Sequence, residues 1–149
     1  MTVGNGAQFA SFLNLEQVEP FCEYQGYCVG VKGKLAKPLT LSQISKECQQ
    51  INGYTSHISM PFGKEKISSI AIVTGSGSFA ISLCAGEGVD LLISGEPKHE
   101  VYHMAKELQM NALFVGHYAS ETFGVRALQK VMEDTFKLQT TYIEDPSGI

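Results

Sequence analysis

His117 and Glu121 stand four residues apart, one helical turn from each other if the chain is helical there. An imidazole and a carboxylate on one helix face, next to a strand end, suit a divalent transition metal. The residues that follow, Val125, Leu128, Met132 and Phe136, are spaced three and four apart and predict a core-facing apolar stripe. Glu121 lies one turn before Val125 on that stripe, and a carboxylate continuing a core face needs a compensating partner. A plainer reading of the same two residues stays open: Glu121 favours the positive end of the helix and His117 donates to a carbonyl. His99 and His103 are also four apart, on the face of the preceding helix opposite Val101, Met104, Ala105 and Leu108. Exposed beside Lys106 and Glu107, they do chemistry only if that face lines a cavity or a subunit contact. His57 falls in an irregular stretch and reads as a structural histidine.

The elements that must position these residues alternate strictly from residue 67 onward. Strands are expected over 67–74, 89–94, 111–115 and 139–143, and helices over 78–86, 97–108 and 120–136, with Pro97 in a first helical turn. Such alternation implies a parallel sheet with right-handed crossovers. Ahead of it, a short weak helix over 6–13 precedes a β-hairpin over 18–35 that turns at Gln25-Gly26. A helix capped by Thr40 or Ser42 runs to about residue 51 and stops at Gly53, and 55–66 is a loop or irregular strand. The fold class is therefore α/β: a mostly parallel sheet with flanking helices and an N-terminal β-hairpin, residues 1–149 forming a single domain. Ligands of open parallel sheets gather at the strand carboxyl ends. Three such ends carry Gly75-Ser76-Gly77-Ser78, Ser94-Gly95-Glu96 and Gly116-His117 on one edge, which is the expected site.

Composition narrows the function. The 149 residues are 44% hydrophobic, enough for one domain with a core. Fifteen acidic against eleven basic residues give a net charge of −4, which excludes the basic face that nucleic-acid binding requires. Charged residues are only 17%, against roughly 25% in an average domain, which points to surface hidden against a partner or another copy. The uncharged stretch 67–86 approaches a membrane span in length, but Thr74-Gly75-Ser76-Gly77-Ser78 divides it into a strand, a turn and a helix. No secretion signal opens the chain, so a soluble cytoplasmic protein is expected. In that setting Cys22, Cys28, Cys48 and Cys84 read as reduced thiols buried as small hydrophobes. The Gly75–Ser78 turn lacks the third glycine of a dinucleotide fingerprint and the Gly-Lys-Ser/Thr of a P-loop. No Gly-x-Ser-x-Gly elbow supports a serine hydrolase.

The runs Val89-Asp90-Leu91-Leu92-Ile93-Ser94-Gly95-Glu96 and Gly116-His117-Tyr118-Ala119-Ser120-Glu121 resemble the Nif-three-like family (NGG-one interacting factor three), whose bacterial members are labelled GTP cyclohydrolase type 2 homologues. Val3-Gly4-Asn5-Gly6-Ala7-Gln8, Gly75-Ser76-Gly77-Ser78-Phe79 and Tyr142-Ile143-Glu144-Asp145-Pro146 resemble it too, from about Val3 to the end of the chain. The resemblance implies a dinuclear-metal protein assembled as a hexamer, with two divalent ions held by an adjacent His-His, an acid, and a late His and Glu. The late pair matches His117 and Glu121; the others match nothing here. The chain thus resembles the C-terminal portion of a longer metal-binding protein. Met1 is then expected to be an artificial start, the start of a split gene or that of a shortened relative. A metal-dependent hydrolase is implied once an N-terminal half is supplied, by a separate subunit for instance. This chain alone is expected to be inactive and to hold metal weakly if at all. Catalytic roles would fall to Glu121 and His103, with His99 and Glu96 orienting a ligand or carrying a proton. The competing expectation is a non-catalytic interaction or scaffolding subunit of a homo-oligomer.

Overall fold

The strands Leu91–Ser94 (β5) and Asn111–Phe114 (β6) are buried at every position, as expected where both faces of a sheet are covered. They lie side by side in the computed structural model, which describes residues 3–54 and 57–147. Together with Glu16–Tyr24 (β1), Tyr27–Leu39 (β2), Ile58–Pro61 (β3) and Ile67–Val73 (β4), they form one sheet in the order β1-β2-β4-β5-β6-β3. The α/β class holds, but the sheet is mixed rather than mostly parallel. β4-β5 and β5-β6 pair parallel, whereas β1-β2, β2-β4 and β3-β6 pair antiparallel. The hairpin's second strand joins β4 directly, and the stretch before residue 67, read as a loop or irregular strand, contributes β3 against β6; Thr55 and Ser56 of that stretch lie outside the described residues.

Alternate residues feed two cores, as a period of two requires. Ile70, Ile72, Leu91, Ile93 and Leu113 pack with Phe9 of α1 (Asn5–Phe12) and Ile44 of α2 (Leu41–Cys48). Ala71, Val73, Leu92, Ala112 and Phe114 pack with Ile81 of α3 (Ile81–Gly86) and with Val101 and Ala105 of α4 (Val101–Glu107). A 3-10 turn over Gly77–Ala80 leads into α3, so the uncharged stretch is the predicted strand, turn and helix. Among the described residues no helix is long and apolar enough to cross a membrane. Thr40 caps α2 through a reciprocal box: the Gln43 amide donates to Thr40 Oγ1, and the Thr40 amide donates to Gln43 Oε1 at 2.9 Å.

Four local expectations fail. Pro97 does not open a helix; α4 starts at Val101, and the residues before it are tied to the loop after β4 instead, the Gly95 and Glu96 amides donating to the Gly75 carbonyl and the Lys98 amide to Ser78 Oγ. Residues 139–143 form no strand; the edges of the sheet are β1 and β3. They run back instead beside the last helix, α5 (His117–Phe136). The stripe on α5 is inverted. Val125, Leu128 and Phe136 are exposed, whereas Ala119, Ser120 and Thr122 are buried. The inward side of α5 is built of small residues because α1 approaches closely. The Gly124 amide donates to Asn5 Oδ1 at 2.6 Å, and Phe123 stacks on Phe9 with ring centroids 4.7 Å apart. Lastly, Cys22, Cys48 and Cys84 are buried free thiols as expected, but Cys28, near the hairpin turn, is exposed. Burial pushes the Cys48 and Cys84 thiols up to about 12.

Candidate metal centre

The three parallel strands deliver their carboxyl ends to one edge, and backbone hydrogen bonds stitch the loops that follow. Besides the two amides donating to the Gly75 carbonyl, the Ser94 hydroxyl donates to it at 3.1 Å, and the Gly116 amide donates to the Gly95 carbonyl at 2.9 Å. Ser120 closes the set by donating from Oγ to the His117 carbonyl and accepting from the Gly75 amide, both at 2.9 Å. Gly116 adopts φ 99°, a conformation open to glycine, and this bend turns the end of β6 into α5 at His117, three residues earlier than expected.

The early start makes His117 and Glu121 helical neighbours. His117 Nε2 lies 3.3 Å from Glu121 Oε2, while Nδ1 lies 3.2 Å from Glu96 Oε1. Ser76 Oγ donates to that same Glu96 oxygen at 2.5 Å. The Ser76 hydroxyl, followed by His117, holds the Glu96 carboxyl below the usual carboxylate range. The three side chains are 35–45% exposed, so Glu121 is not the buried core-face carboxylate that the stripe suggested. Its partner is the imidazole one turn back.

Gly75 shapes the space in front of the pair. Its φ is +62°, and a Cβ there would come within 2.6 Å of Glu121 Oε1 and 3.1 Å of His117 Nε2. Glycine thus leaves open a cradle beside two atoms that suit a transition metal. Among the described residues no three His, Cys, Asp or Glu side chains converge as a ready metal site, because Glu96 and Glu121 flank opposite sides of the ring. The donor set therefore fits part of a coordination sphere, with further ligands required from elsewhere.

A cavity of about 320 Å³ adjoins the pair, lined by His117, Tyr118, Glu121, Thr122 and Val125 and walled by Tyr142 and Ser147 of the chain end. The chain end is fastened to α5. The Arg126 guanidinium lies 4.0 Å from the centre of the Tyr142 ring and pairs with Glu144. Tyr118 Oη lies 3.1 Å from Tyr142 Oη, donates to Glu144 Oε2 and accepts from the Asp145 amide. Chiefly because of the Tyr142 hydroxyl, the Tyr118 hydroxyl is pushed up to about 12. Nothing in the spacing foretold this clamp; the only signal was the Tyr-Ile-Glu-Asp-Pro run itself. A cleft of about 370 Å³ near Lys32 lies away from the strand ends, and Lys32 is already paired with Glu19 and Glu87.

His103 is exposed on α4, its ring edge-on to Tyr102 with centroids 5.4 Å apart and 6.4 Å from the His99 ring. His99 lies in the turn before α4. The two rings meet each other and not the His117 group. His57 is exposed and hydrogen-bonds the Tyr54 hydroxyl through Nδ1.

Residues 1–146 match the model of the Duf34/NIF3 family (NGG1p interacting factor 3). The chain is 40% identical over 147 residues to a GTP cyclohydrolase 1 type 2 homolog of Pyrococcus abyssi and 35% identical to one of Archaeoglobus fulgidus, covering 99% of this chain and 58% of each relative. Among solved structures it is similar to the protein ybgI, of unknown function, with a TM-score of 0.85 and 28% identity over 97% of this chain and 57% of that one. It is similar also to a protein of Thermus thermophilus, with a TM-score of 0.84 and 29% identity over 99% of this chain and 57% of that one. The chain thus spans a little over half the length of the relatives it matches.

Proposed function

This chain belongs to the Duf34/NIF3 family, and from that premise we propose that it supplies the late histidine and glutamate of a divalent metal centre. The observation that carries the reading is the His117–Glu121 pair at the end of β6, opposite the open space at Gly75. Neutral imidazole Nε2 and an ionised carboxylate oxygen would hold the ion, with the remaining ligands and a second ion contributed by sequence outside this chain. Bound there, a divalent ion supplies Lewis-acid polarisation of a phosphoryl or carbonyl oxygen, the chemistry of a metal-dependent hydrolase. Tyr142 and Val125 wall one side of the adjacent cavity. The names of the curated relatives point the same way, towards a GTP cyclohydrolase type 2 homologue.

The test is a titration of the purified chain with Zn²⁺ and Co²⁺, alone and mixed with the N-terminal part of a relative. Weak binding alone that tightens in the mixture supports the reading, and loss of that gain in His117→Ala supports the assignment. Binding unaffected by His117→Ala and Glu121→Ala would remove it. A second reading, a non-catalytic subunit of a homo-oligomer, is favoured by the exposed apolar side of α5. It predicts assembly that persists in both of these variants.

A further inference from the structure

We propose that Glu96 is the positioning residue of this site: its carboxylate fixes the His117 ring through Nδ1, leaving Nε2, on the Glu121 side, as the atom that receives a ligand. The inference rests on the metal reading above and deepens it. A neutral imidazole carries one proton, and whichever nitrogen keeps it becomes the donor while the other presents a lone pair. In His117 both nitrogens face a carboxylate, at 3.2 Å and 3.3 Å, so distance alone does not choose between them.

The surroundings do choose. Glu96 is held from two sides: the Ser76 hydroxyl donates to the oxygen that faces Nδ1, and the Glu96 amide donates to the Gly75 carbonyl. The strand ends that carry Glu96 and His117 are themselves joined through the Gly116 amide and the Gly95 carbonyl. Glu121 has no such support. Among the described residues its carboxylate has no partner but His117, and its side chain is the more exposed of the two. A fixed acceptor at Nδ1 and a movable one at Nε2 is the arrangement in which an outer carboxylate orients a metal-binding histidine while the inner one shares the ion. Ser76 belongs to the device, because it prevents Glu96 from swinging to solvent.

The experiment reads the ring directly, without metal. Long-range proton–nitrogen correlation of the ¹⁵N-labelled full chain at about pH 9, above the usual imidazole range, reports which nitrogen of each histidine is protonated; His117→Gln assigns the signal. The expected result is the Nδ1–H form in the wild type and in Glu96→Gln, whose amide oxygen still accepts, and a change to mainly Nε2–H in Glu96→Ala. The signals of the other three histidines, unmoved, show that the fold is retained. An Nε2–H ring in the wild type, or an Nδ1–H ring that survives Glu96→Ala, overturns the proposal. A parallel Co²⁺ titration should show about 10- to 100-fold weaker binding in Glu96→Ala and recovery of most of it in Glu96→Gln. A wild type that shows the Nδ1–H ring yet takes up no Co²⁺ in any combination sinks the metal reading while Glu96's hold on His117 stands.

Discussion

At the scale of single residues, the site depends on one missing methyl group. A Cβ at position 75 would enter the space that His117 Nε2 and Glu121 Oε1 share, and alanine would also strain a backbone at φ +62° by roughly 1–2 kcal/mol. Gly75→Ala should therefore lower both thermal stability and Co²⁺ affinity. A variant less stable but with unchanged affinity would show that the space is not a metal cradle. Asp90 supplies a contrast, because its role is structural. It is buried, accepts from the Ser68 and Ser69 amides at 2.9 and 3.1 Å, and pairs with Lys64 at 2.6 Å. Burial acts to raise its carboxyl, but Lys64 and the two amides outweigh burial and hold it below the usual carboxylate range. A carboxyl depressed in the folded state stabilises above its unfolded pKa of about 3.9, and that stabilisation disappears as pH falls through the folded value. Asp90→Asn should be less stable than the wild type by roughly 1–3 kcal/mol at pH 7. The difference in urea midpoints should close below about pH 4; a gap that stays constant to pH 2 would show that the charge is not what matters.

At the scale of elements, the alternation of strand and helix from residue 67 was legible because short buried strands and the glycine turns between them leave few alternatives. The i, i+4 spacing likewise brought His117 and Glu121 together, and the strand-end rule placed Glu96 and Ser76 beside them. Two things were not legible. Periodicity identifies a helix face but not what covers it, so the stripe through Val125, Leu128 and Phe136 was assigned to the core when small residues such as Ala119 and Ser120 hold that position. The chain end reads as β-forming, but period-two patterning does not say whether a segment pairs with a sheet. This segment is fastened by side chains instead, with Arg126 the central group although its buried Nε has no acceptor among the described residues. A surface ion pair and a cation–π contact are each worth about 1 kcal/mol or less. Arg126→Ala should therefore change global stability by no more than about 2 kcal/mol. Amide exchange over residues 139–147 should nonetheless accelerate strongly. Exchange there that matches the wild type would mean that the Tyr118 contacts suffice.

At the scale of the whole molecule, the stripe that failed as core becomes the main unexplained surface. Val125, Leu128 and Phe136 are 57%, 49% and 62% exposed on one helix, and a contiguous apolar patch of this kind marks an interaction surface. Its position matters more than its size. Val125 belongs both to the stripe and to the wall of the cavity beside His117 and Glu121, so whatever covers the stripe also reaches the candidate metal pair. If His117 and Glu121 are metal ligands as proposed, a site with so few ligands and an apolar border is suited to completion from outside, whether by another copy or by the sequence that the longer relatives carry. Self-association of the chain is the outcome we expect in the absence of such sequence. Sedimentation at about 50 μM should show an assembly, since an interface with a micromolar constant is well populated there. Leu128→Lys and Phe136→Lys alter exposed positions, where substitutions usually change stability by less than about 0.5 kcal/mol, so each should shift the assembly towards monomer without unfolding the chain. Mixing the wild type with an N-terminal part of a relative should also dissociate the assembly if the two compete for α5. A wild-type chain that sediments as a clean monomer, or an assembly indifferent to both lysines, would place the contact surface elsewhere and leave the stripe unexplained.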